Sequence, residues 1–324
     1  MRDLRLSVID DCNFRCTYCM PREKYGEDFQ FLTPEERLTF DEMVRLVGVF
    51  AGLGVTKVKL TGGEPLLRPW LPELVERLTA IPGISDIGLI TNGYHLEKVA
   101  LRLKQAGLRR VTVSLDTLDD ATWRAINGRG YSVSRVLDGI QAALDAGFSP
   151  VKINAVVQRG VNDHQVLDMV ERFRSNDYRL RFIEFMDVGT INGWRADGVV
   201  TSKELRDKIN QVYPISPVDP AYRGEVATRY RFNDGNGEVG FISSVSEPFC
   251  QDCTRARLSA DGKLFTCLFS QAGHDLRALL RSGASDDEIR GKLATIWGGR
   301  DDRYSEERSG GQVLPRMEMF QIGG

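Results

Sequence analysis

The residues with the clearest capacity for chemistry are six cysteines, grouped in two sets of three. The first set is Cys12, Cys16 and Cys19, and the second is Cys250, Cys253 and Cys267. Because each set holds an odd number of thiols, neither set can be closed by disulfides alone. Thiolates are soft ligands that favour iron–sulfur clusters or zinc. The pattern therefore predicts two metal sites in a reducing compartment.

The first set, Cys12-x-x-x-Cys16-x-x-Cys19, directly follows an apolar stretch that is typical of a strand. Three thiolates are one short of the four that usually saturate a [4Fe–4S] cluster. One iron would then remain open to a small molecule, as one position does in catalytic metal sites. A structural zinc site needs a fourth ligand, and none of the three histidines lies nearby in the sequence. The spacing therefore favours a catalytic cluster.

The second set leaves two interpretations open, because a Cys-x-x-Cys turn with one distant cysteine also suits structural zinc. The residues that follow Cys253 include Arg255 and Arg257, which share one face if the segment is a strand. Guanidinium groups bind phosphate in a bidentate way. The pair therefore indicates an anionic substrate beside a second open cluster, although two solvated arginines are the simpler alternative.

Short apolar runs alternate with helical stripes over the first 185 or so residues, which predicts a parallel sheet. Six strand–helix units favour an α/β fold, an incomplete (βα)6 TIM-type barrel, because eight would close a full barrel. The predicted strands are Leu4–Ile9, Lys57–Leu60, Ile87–Thr91, Arg110–Leu115, Val151–Val157 and Leu180–Glu184. The predicted helices are Asp41–Leu53, Trp70–Ala80, Leu96–Ala106, Ser134–Ala146 and Gln165–Arg174.

The pattern changes after about residue 187, which divides the chain into a barrel core, 1–187, and an α+β extension, 188–324. Two hairpins are predicted in the extension, at Ala227–Phe232 with Val239–Ile242 and at Ala256–Ser259 with Leu264–Cys267. The extension would carry the second cluster and close the barrel.

The charges nearly balance, since 43 lysines and arginines face 45 acidic residues. This argues against bulk attraction to nucleic acid or to a membrane surface. The sequence also lacks a run of about 18 apolar residues and an apolar signal region at its start. We therefore expect a cytoplasmic protein with no nucleic-acid or membrane partner.

Isolated basic residues occur within the predicted strands, at Arg5, Lys59, Lys152 and Arg181. Strands of parallel sheets are usually buried on both faces, and a buried charge needs a partner. A nucleoside triphosphate, with its several negative charges, is a suitable one.

The first cysteine motif, with Tyr18 before its last cysteine, resembles the signature of the radical S-adenosylmethionine (SAM) superfamily. Further motifs of that superfamily follow at the strand ends: Thr61-Gly62-Gly63-Glu64-Pro65, Thr91-Asn92-Gly93 and Ser114-Leu115-Asp116. Within it, the second cysteine set with Arg255 and Arg257, and the final Gly323-Gly324, resemble the branch that cyclises GTP in molybdenum cofactor synthesis.

This resemblance implies two [4Fe–4S] clusters and a lyase reaction. The first cluster would cleave SAM to methionine and a 5′-deoxyadenosyl radical, which takes the ribose 3′ hydrogen of GTP before the 3′ carbon attacks guanine C8. Cys12, Cys16, Cys19 and Arg257 are implied to be catalytic, and Tyr18, Gly63, Ser114 and Met186 to bind SAM. Cys250, Cys253 and Cys267 would bind the second cluster, which meets the guanine. The implied GTP contacts are Arg5, Lys59, Thr91, Lys152, Arg255 and Arg257, with Arg181 as a weaker candidate.

The resemblance also implies a flavodoxin or ferredoxin as electron donor, cyclic pyranopterin monophosphate synthase as the downstream partner, a monomer or homodimer, and a tail that enters the active site. Two alternatives differ in class. A radical SAM peptide-modifying enzyme would usually carry more C-terminal cysteines. An electron-transfer or iron-sensing protein would saturate its cluster with four ligands.

Overall fold

The computed structural model describes residues 1–308 and 316–323. The described strands form one mixed sheet. They are β1 (Asp3–Ser7), β2 (Lys57–Thr61), β3 (Asp86–Thr91), β4 (Arg110–Ser114), β5 (Val151–Val157), β6 (Tyr178–Glu184), β7 (Ile215–Val218), β8 (Thr228–Phe232), β9 (Glu238–Ile242), β10 (Arg255–Leu258), β11 (Lys263–Phe265) and β12 (His274–Asp275).

The first six strands are parallel and lie side by side in chain order. The C-terminal half extends this sheet at both edges. Strand β10 pairs in parallel with β1, and β9 pairs in parallel with β6. The two predicted hairpins, β8 with β9 and β10 with β11, pair antiparallel. Strands β7 and β12 then pair antiparallel with β8 and β11 at the two outer edges of the sheet.

The helices connect and cover the strands. They are α1 (Phe40–Gly52), α2 (Leu71–Thr79), α3 (Ala100–Gln105), α4 (Asp120–Asn127), α5 (Ser134–Asp145), α6 (Val166–Phe173), α7 (Ser202–Val212), α8 (Leu276–Arg281), α9 (Asp286–Gly298), α10 (Tyr304–Glu307) and α11 (Met319–Ile322). Helix α1 shows how the sequence sets them. Thr39 and Glu42 form a capping box at its start, and Met43, Leu46 and Phe50 give it one buried face. Among the described helices none is long and apolar enough to cross a membrane.

The sheet is strongly curved. Arg5 on β1 and Arg181 on β6 line the same cavity, although five strand spacings, about 24 Å in a flat sheet, separate their strands. Residues that alternate with Arg5, such as Leu4 and Leu6, are fully buried in the core on the opposite face. The predicted incomplete barrel is therefore confirmed, with an interior that is partly polar.

Some elements differ from the sequence-based expectation. The helix predicted at Leu96–Ala106 is broken into a 3₁₀ turn, Leu96–Lys98, and α3. Helices α4 and α7 and strand β7 were missed. Strand β7 contains Pro217 and lies at the sheet edge, where a residue without an amide hydrogen is tolerated. The division of the chain at residue 187 stays a prediction.

Candidate active site

The loop after β1 carries the first three cysteines, and its backbone is tightly bonded. The amides of Cys19 and Met20 both donate to the carbonyl of Cys16, at 3.0 and 2.9 Å. Arg15 is buried beneath the loop and donates to the carbonyls of Tyr25 at 2.7 Å and Phe14 at 2.8 Å. The loop is thus held in shape by contacts within the protein.

The thiols of this loop suit a metal cluster. Burial raises the pKa of Cys16 well above its ordinary value, and the neighbouring Cys12 and Cys19 raise it further. Burial also raises the pKa of Cys19 to about 12. Thiols so placed ionise only when a positive charge lies beside them, and iron supplies that charge. Three partly buried thiols on one short loop therefore suit a cluster with one open iron.

Gly62 and Gly63, which follow β2, lie directly under this loop. A Cβ atom at Gly63 would be 2.1 Å from the carbonyl oxygen of Asp11, and one at Gly62 would be 2.1 Å from that of Ile9. The Gly63 amide donates to the Ile9 carbonyl at 2.8 Å. Glycine is required here because two backbone segments approach within hydrogen-bond distance.

Glu64 ties the ends of β2 and β3 together. Its buried carboxylate accepts from the Thr91 hydroxyl at 2.7 Å, the Asn92 amide at 2.7 Å and the Leu66 amide at 2.9 Å. Burial raises the pKa of Glu64 to about 7, while these hydrogen bonds oppose the rise. The Thr91 hydroxyl also accepts from the Gly93 amide at 3.0 Å, so it is hydrogen-bonded on both sides within the strand end. The predicted contact between Thr91 and GTP stays a prediction.

The three other predicted SAM contacts lie at the same edge of the barrel. The Tyr18 hydroxyl donates to Asp116 at 2.8 Å, just beyond β4, whose last residue is Ser114. Met186 follows β6 by two residues and lines a cavity. The structure thus brings Tyr18, Gly63, Ser114 and Met186 to the carboxyl ends of the strands, where parallel α/β folds bind ligands.

Inside the barrel, basic side chains from neighbouring strands form one row. Arg257 on β10, Arg5 on β1 and Lys59 on β2 are paired residue to residue across the sheet. Lys152 and Arg181, on β5 and β6, line the same cavity as Arg5 and Lys59. We call this space, whose open volume is about 780 Å³, the basic cavity.

The side chains that line the basic cavity carry more positive than negative charge. Burial lowers the pKa of Lys59 well below its ordinary value, and Arg5 and Lys152 lower it further. Burial, followed by Arg181 and Arg110, lowers the pKa of Lys152 to about 7. Lys59, Lys152 and Arg181 form no ion pair within the described residues 1–308 and 316–323. Such a cluster of cations is stabilised by an anion of several charges.

The second cysteine set lies beside the basic cavity. Cys250 and Cys253 frame a 3₁₀ turn in which the Cys253 amide donates to the Cys250 carbonyl at 3.1 Å, and Cys267 follows β11. The three cysteines line an adjoining cavity together with Arg5, Arg255 and Arg257. The sequence prediction that this set adjoins an anion site is thus consistent with the geometry.

Arg255 is bound directly to this set, since its Nε donates to the Cys253 sulfur at 3.3 Å. Burial would raise the pKa of Cys253, but the charge and the backbone and side-chain hydrogen bonds of Arg255, together with the charge of Arg300, lower it on balance. In the part of the chain that the structure describes, no three His, Cys, Asp or Glu side chains are grouped for a single metal ion, at either cysteine set.

The C-terminal tail reaches the same place. Arg257, only 3% exposed, donates to the carbonyls of Ile322, at 3.3 Å, and of Gly323. Gly323 has a φ of +72°, and a Cβ there would be 2.3 Å from the Thr61 methyl group. Only glycine fits between the ends of β1 and β2. Gly324 lies outside the described residues.

Sequence reasoning missed several residues of the site. Lys57 and Arg110 line the basic cavity, and so does Tyr222, whose ring is 3.8 Å from the Lys57 ammonium. The signal for Lys57 was available, because it precedes Lys59 by two and shares its face of β2. Tyr222 gave no signal, since it belongs to a loop of the extension.

Glu184, at the end of β6, is a second omission. Its fully buried carboxylate accepts from the amides of Val245 and Ser246, each at 2.8 Å, and of Ser202 at 2.7 Å. These bonds fasten the segment that leads to Cys250 onto the barrel. The sequence analysis placed Glu184 at the end of a predicted strand but did not reveal its partners.

Comparison with known proteins agrees with this geometry. Residues 6–173 match the model of the radical SAM superfamily, and residues 178–306 match that of Molybdenum Cofactor Synthesis C. The chain is 54% identical over its whole length to GTP 3′,8-cyclase of Xanthomonas axonopodis pv. citri, covering 96% of that protein. The chain belongs to the GTP 3′,8-cyclase family. Another member, from Staphylococcus haemolyticus, is 50% identical, with 100% of this chain and 96% of the relative aligned.

Membership of the GTP 3′,8-cyclase family, and with it of the radical SAM superfamily, implies one [4Fe–4S] cluster and SAM. The fold is shared more widely. Streptococcus suis SuiB, solved with bound S-adenosylmethionine, superposes with a TM-score of 0.64 at 14% identity, over 95% of this chain and 70% of SuiB. This similarity shows the fold alone. The family predicted from the cysteine, glycine and strand-end motifs is confirmed.

Proposed function

We propose that this chain converts GTP to (8S)-3′,8-cyclo-7,8-dihydroguanosine 5′-triphosphate, the first step of molybdenum cofactor synthesis. The observation that carries the proposal is the junction of two cavities, which share Arg5 and Arg255. One cavity is rich in cations that suit a triphosphate, and the other contains three cysteines. Relatives named GTP 3′,8-cyclase align over the whole chain and support it.

Cys12, Cys16 and Cys19 would hold the first [4Fe–4S] cluster, which when bound and reduced supplies the electron that cleaves SAM to methionine and a 5′-deoxyadenosyl radical. The role of the protein is to hold and orient. Tyr18, Gly63, Ser114 and Met186 bind SAM at the strand ends. Glu64 and Asp116 keep these ends in register through the bonds described above.

Arg5, Lys59, Lys152, Arg255 and Arg257 bind GTP, with Thr91 and Arg181 as further contacts. Burial, and after it the neighbouring cations, lower the pKa values of Lys59 and Lys152, and a triphosphate in the basic cavity would offset both effects. Arg257 is assigned as catalytic because it lies where the basic row, the second cysteine set and Gly323 meet. Fixing GTP in this way places its ribose for reaction and excludes water.

Cys250, Cys253 and Cys267 would hold a second [4Fe–4S] cluster, whose open iron meets the guanine. Arg255, at 3.3 Å from the Cys253 sulfur, stabilises the thiolate that such a ligand requires.

The reaction needs an electron donor and a consumer of its product. We propose a flavodoxin or ferredoxin as the donor and cyclic pyranopterin monophosphate synthase as the downstream enzyme. The oligomeric state, monomer or homodimer, stays a prediction.

The deciding experiment is anaerobic incubation of the reconstituted protein with GTP, SAM and dithionite. We expect 5′-deoxyadenosine and the cyclised triphosphate to form in equal amounts, and GTP deuterated at the 3′ position to transfer its label to 5′-deoxyadenosine. ATP, which carries the same phosphates but another base, is the matched control. The absence of GTP-dependent 5′-deoxyadenosine would exclude the proposal.

The alternative of a peptide-modifying enzyme has less support. SuiB, also solved bound to a precursor peptide, shares the fold at 16% identity, whereas the full-length relatives carry the GTP-related name. If SAM were cleaved in the presence of a substrate peptide but not in the presence of GTP, the peptide-modifying function would be favoured instead.

A further inference from the structure

A largely buried group of charges surrounds Asp187, three residues beyond the end of β6. The Asp187 carboxylate accepts from Nε of Arg308 at 3.1 Å and from Nη1 of Arg316 at 3.0 Å. The Tyr304 hydroxyl donates to the same carboxylate. Side-chain exposures of 13%, 13% and 7% for Asp187, Arg308 and Arg316 place the whole group away from solvent.

The partners of Asp187 all come from the C-terminal segment. Arg308 also donates to the Ser244 carbonyl at 3.0 Å, and Arg316 also donates to the Asp187 carbonyl at 2.7 Å. A single carboxylate therefore binds this segment at three points, Tyr304, Arg308 and Arg316. Charge-assisted bonds of this kind are about twice as strong as neutral ones.

The segment beyond Arg316 is bound to the same loop and then turns into the site. The Glu318 carboxylate accepts from the amide and the hydroxyl of Thr190, both at 2.9 Å. Phe320 in α11 is buried, and its ring centroid is 5.0 Å from that of Tyr25. Gly323 then reaches Arg257, seven positions after Arg316. Asp187 thus holds the start of a short segment, residues 316–323, whose end contacts Arg257 in the basic row.

We propose that Asp187 is a positioning residue that fixes the C-terminal segment so that the Gly323 carbonyl binds and orients Arg257. This inference rests on the proposed function only in so far as Arg257 acts on GTP. Without the carboxylate charge, Arg308 and Arg316 would be buried without a counter-charge, which is strongly unfavourable. The segment from residue 316 would then leave its place, and Arg257 would lose its carbonyl partner.

The test is hydrogen–deuterium exchange by mass spectrometry on the anaerobically reconstituted Asp187→Asn protein. The asparagine keeps the shape but removes the charge. We expect exchange in the peptide spanning residues 316–323 to accelerate at least about ten-fold, while strand β6 keeps its protection. GTP turnover should fall about ten-fold or more with SAM affinity unchanged. Asp197→Asn, which breaks the exposed 2.8 Å ion pair with Arg195, is the matched control and should change neither quantity.

Arg316→Gln provides a second, independent variant, because it breaks the same group from the tail side. It should accelerate exchange in the same peptide while Arg308 and Tyr304 still bind Asp187. Unchanged tail exchange in both variants would overturn the proposal, and so would an equal loss of protection in β6. A loss of SAM affinity with an intact tail would show that Asp187 acts through Met186 instead. The exchange measurement does not require the protein to turn over GTP. If the unmodified protein failed to cyclise GTP, the proposed function would be refuted, while the role of Asp187 in holding the tail would still be tested by exchange.

Discussion

Tyr18 and Asp116 are 98 positions apart in the chain, yet the Tyr18 hydroxyl donates a 2.8 Å hydrogen bond to the Asp116 carboxylate. Asp116 also accepts from the Val156 amide at 2.8 Å. Burial raises the pKa of Asp116 to about 6, and these two bonds oppose the rise. One carboxylate therefore connects the first cysteine loop with the ends of β4 and β5, so the cluster loop and the barrel edge are one unit.

Tyr18→Phe should remove the hydrogen bond between the first cysteine loop and the barrel edge without removing a cluster ligand. The lost hydrogen bond to a carboxylate is worth about 1.5–3 kcal/mol. We expect SAM affinity, measured by equilibrium dialysis, to fall several-fold while iron content stays constant. Tyr213→Phe, which removes a hydroxyl bound to the exposed Glu171, is the control and should leave SAM binding unchanged. If both variants bind SAM equally well, the Tyr18–Asp116 bond has no part in that site.

Gly63→Ala should disrupt the first cluster site. The added Cβ would be 2.1 Å from the Asp11 carbonyl oxygen, and the contact is between backbone segments that cannot rotate away. We expect the variant to take up about half of the iron of the parent protein, because only the second set of cysteines remains intact. Gly48→Ala is the control, since a Cβ there meets nothing within 4 Å in α1. That change should stabilise the helix by about 0.5–1 kcal/mol. Full iron content in Gly63→Ala would contradict the steric argument.

Lys152 should make GTP binding depend on pH. Its pKa of about 7 in the free protein means that it is about half protonated at neutral pH. The phosphates of GTP favour the charged ammonium, so binding takes up a proton. Affinity should therefore be highest below pH 7 and fall above it, by at most about ten-fold per pH unit.

Calorimetry in buffers of different ionisation enthalpy measures this proton uptake. In Lys152→Arg the side chain stays charged throughout, so both the uptake and the slope above pH 7 should decrease. Lys203→Arg changes an exposed lysine that pairs with Asp207 at 2.7 Å, and it serves as the control. If the GTP affinity of Lys152→Arg fell with pH as steeply as that of the parent protein, the proton would be taken up by another group.

The first site was predictable from sequence because its information is local. Cys12, Cys16 and Cys19 lie within eight residues, and the strand-end motifs follow from the rule that ligands bind at the carboxyl ends of parallel strands. The six parallel strands β1 to β6 were predicted because each is a short, largely apolar run. The broken helix at Leu96–Ala106 was not foreseen, since its apolar stripe continues across the break.

The rest of the site depends on partners that sequence spacing does not reveal. The row formed by Arg257, Arg5 and Lys59 requires β10 to pair with β1, although the two strands are separated by almost the whole chain. Glu184 was predicted only as the last residue of a strand, and residue 187 only as the point where the sequence pattern changes. Their functions arise from contacts with loops of the extension, whose positions are set by tertiary packing.

Removal of the second cysteine set separates its role from that of the first. In the Cys250→Ala, Cys253→Ala, Cys267→Ala protein we expect iron to fall from about eight to about four atoms per chain. The first cluster should remain, because its loop is held by Arg15 and Gly63 rather than by the extension. SAM should still be cleaved slowly, but cyclised GTP should not form.

The reciprocal variant, with Cys12, Cys16 and Cys19 changed to alanine, is the matched control. It should also keep about four irons, lose all SAM cleavage, and show a change in the electron paramagnetic resonance signal of the remaining cluster when GTP is added. In the proposed function, Arg255 beside Cys253 links this site to the nucleotide. Elemental analysis that finds zinc at this site after anaerobic purification, or a signal that GTP does not alter, would contradict a guanine-binding cluster.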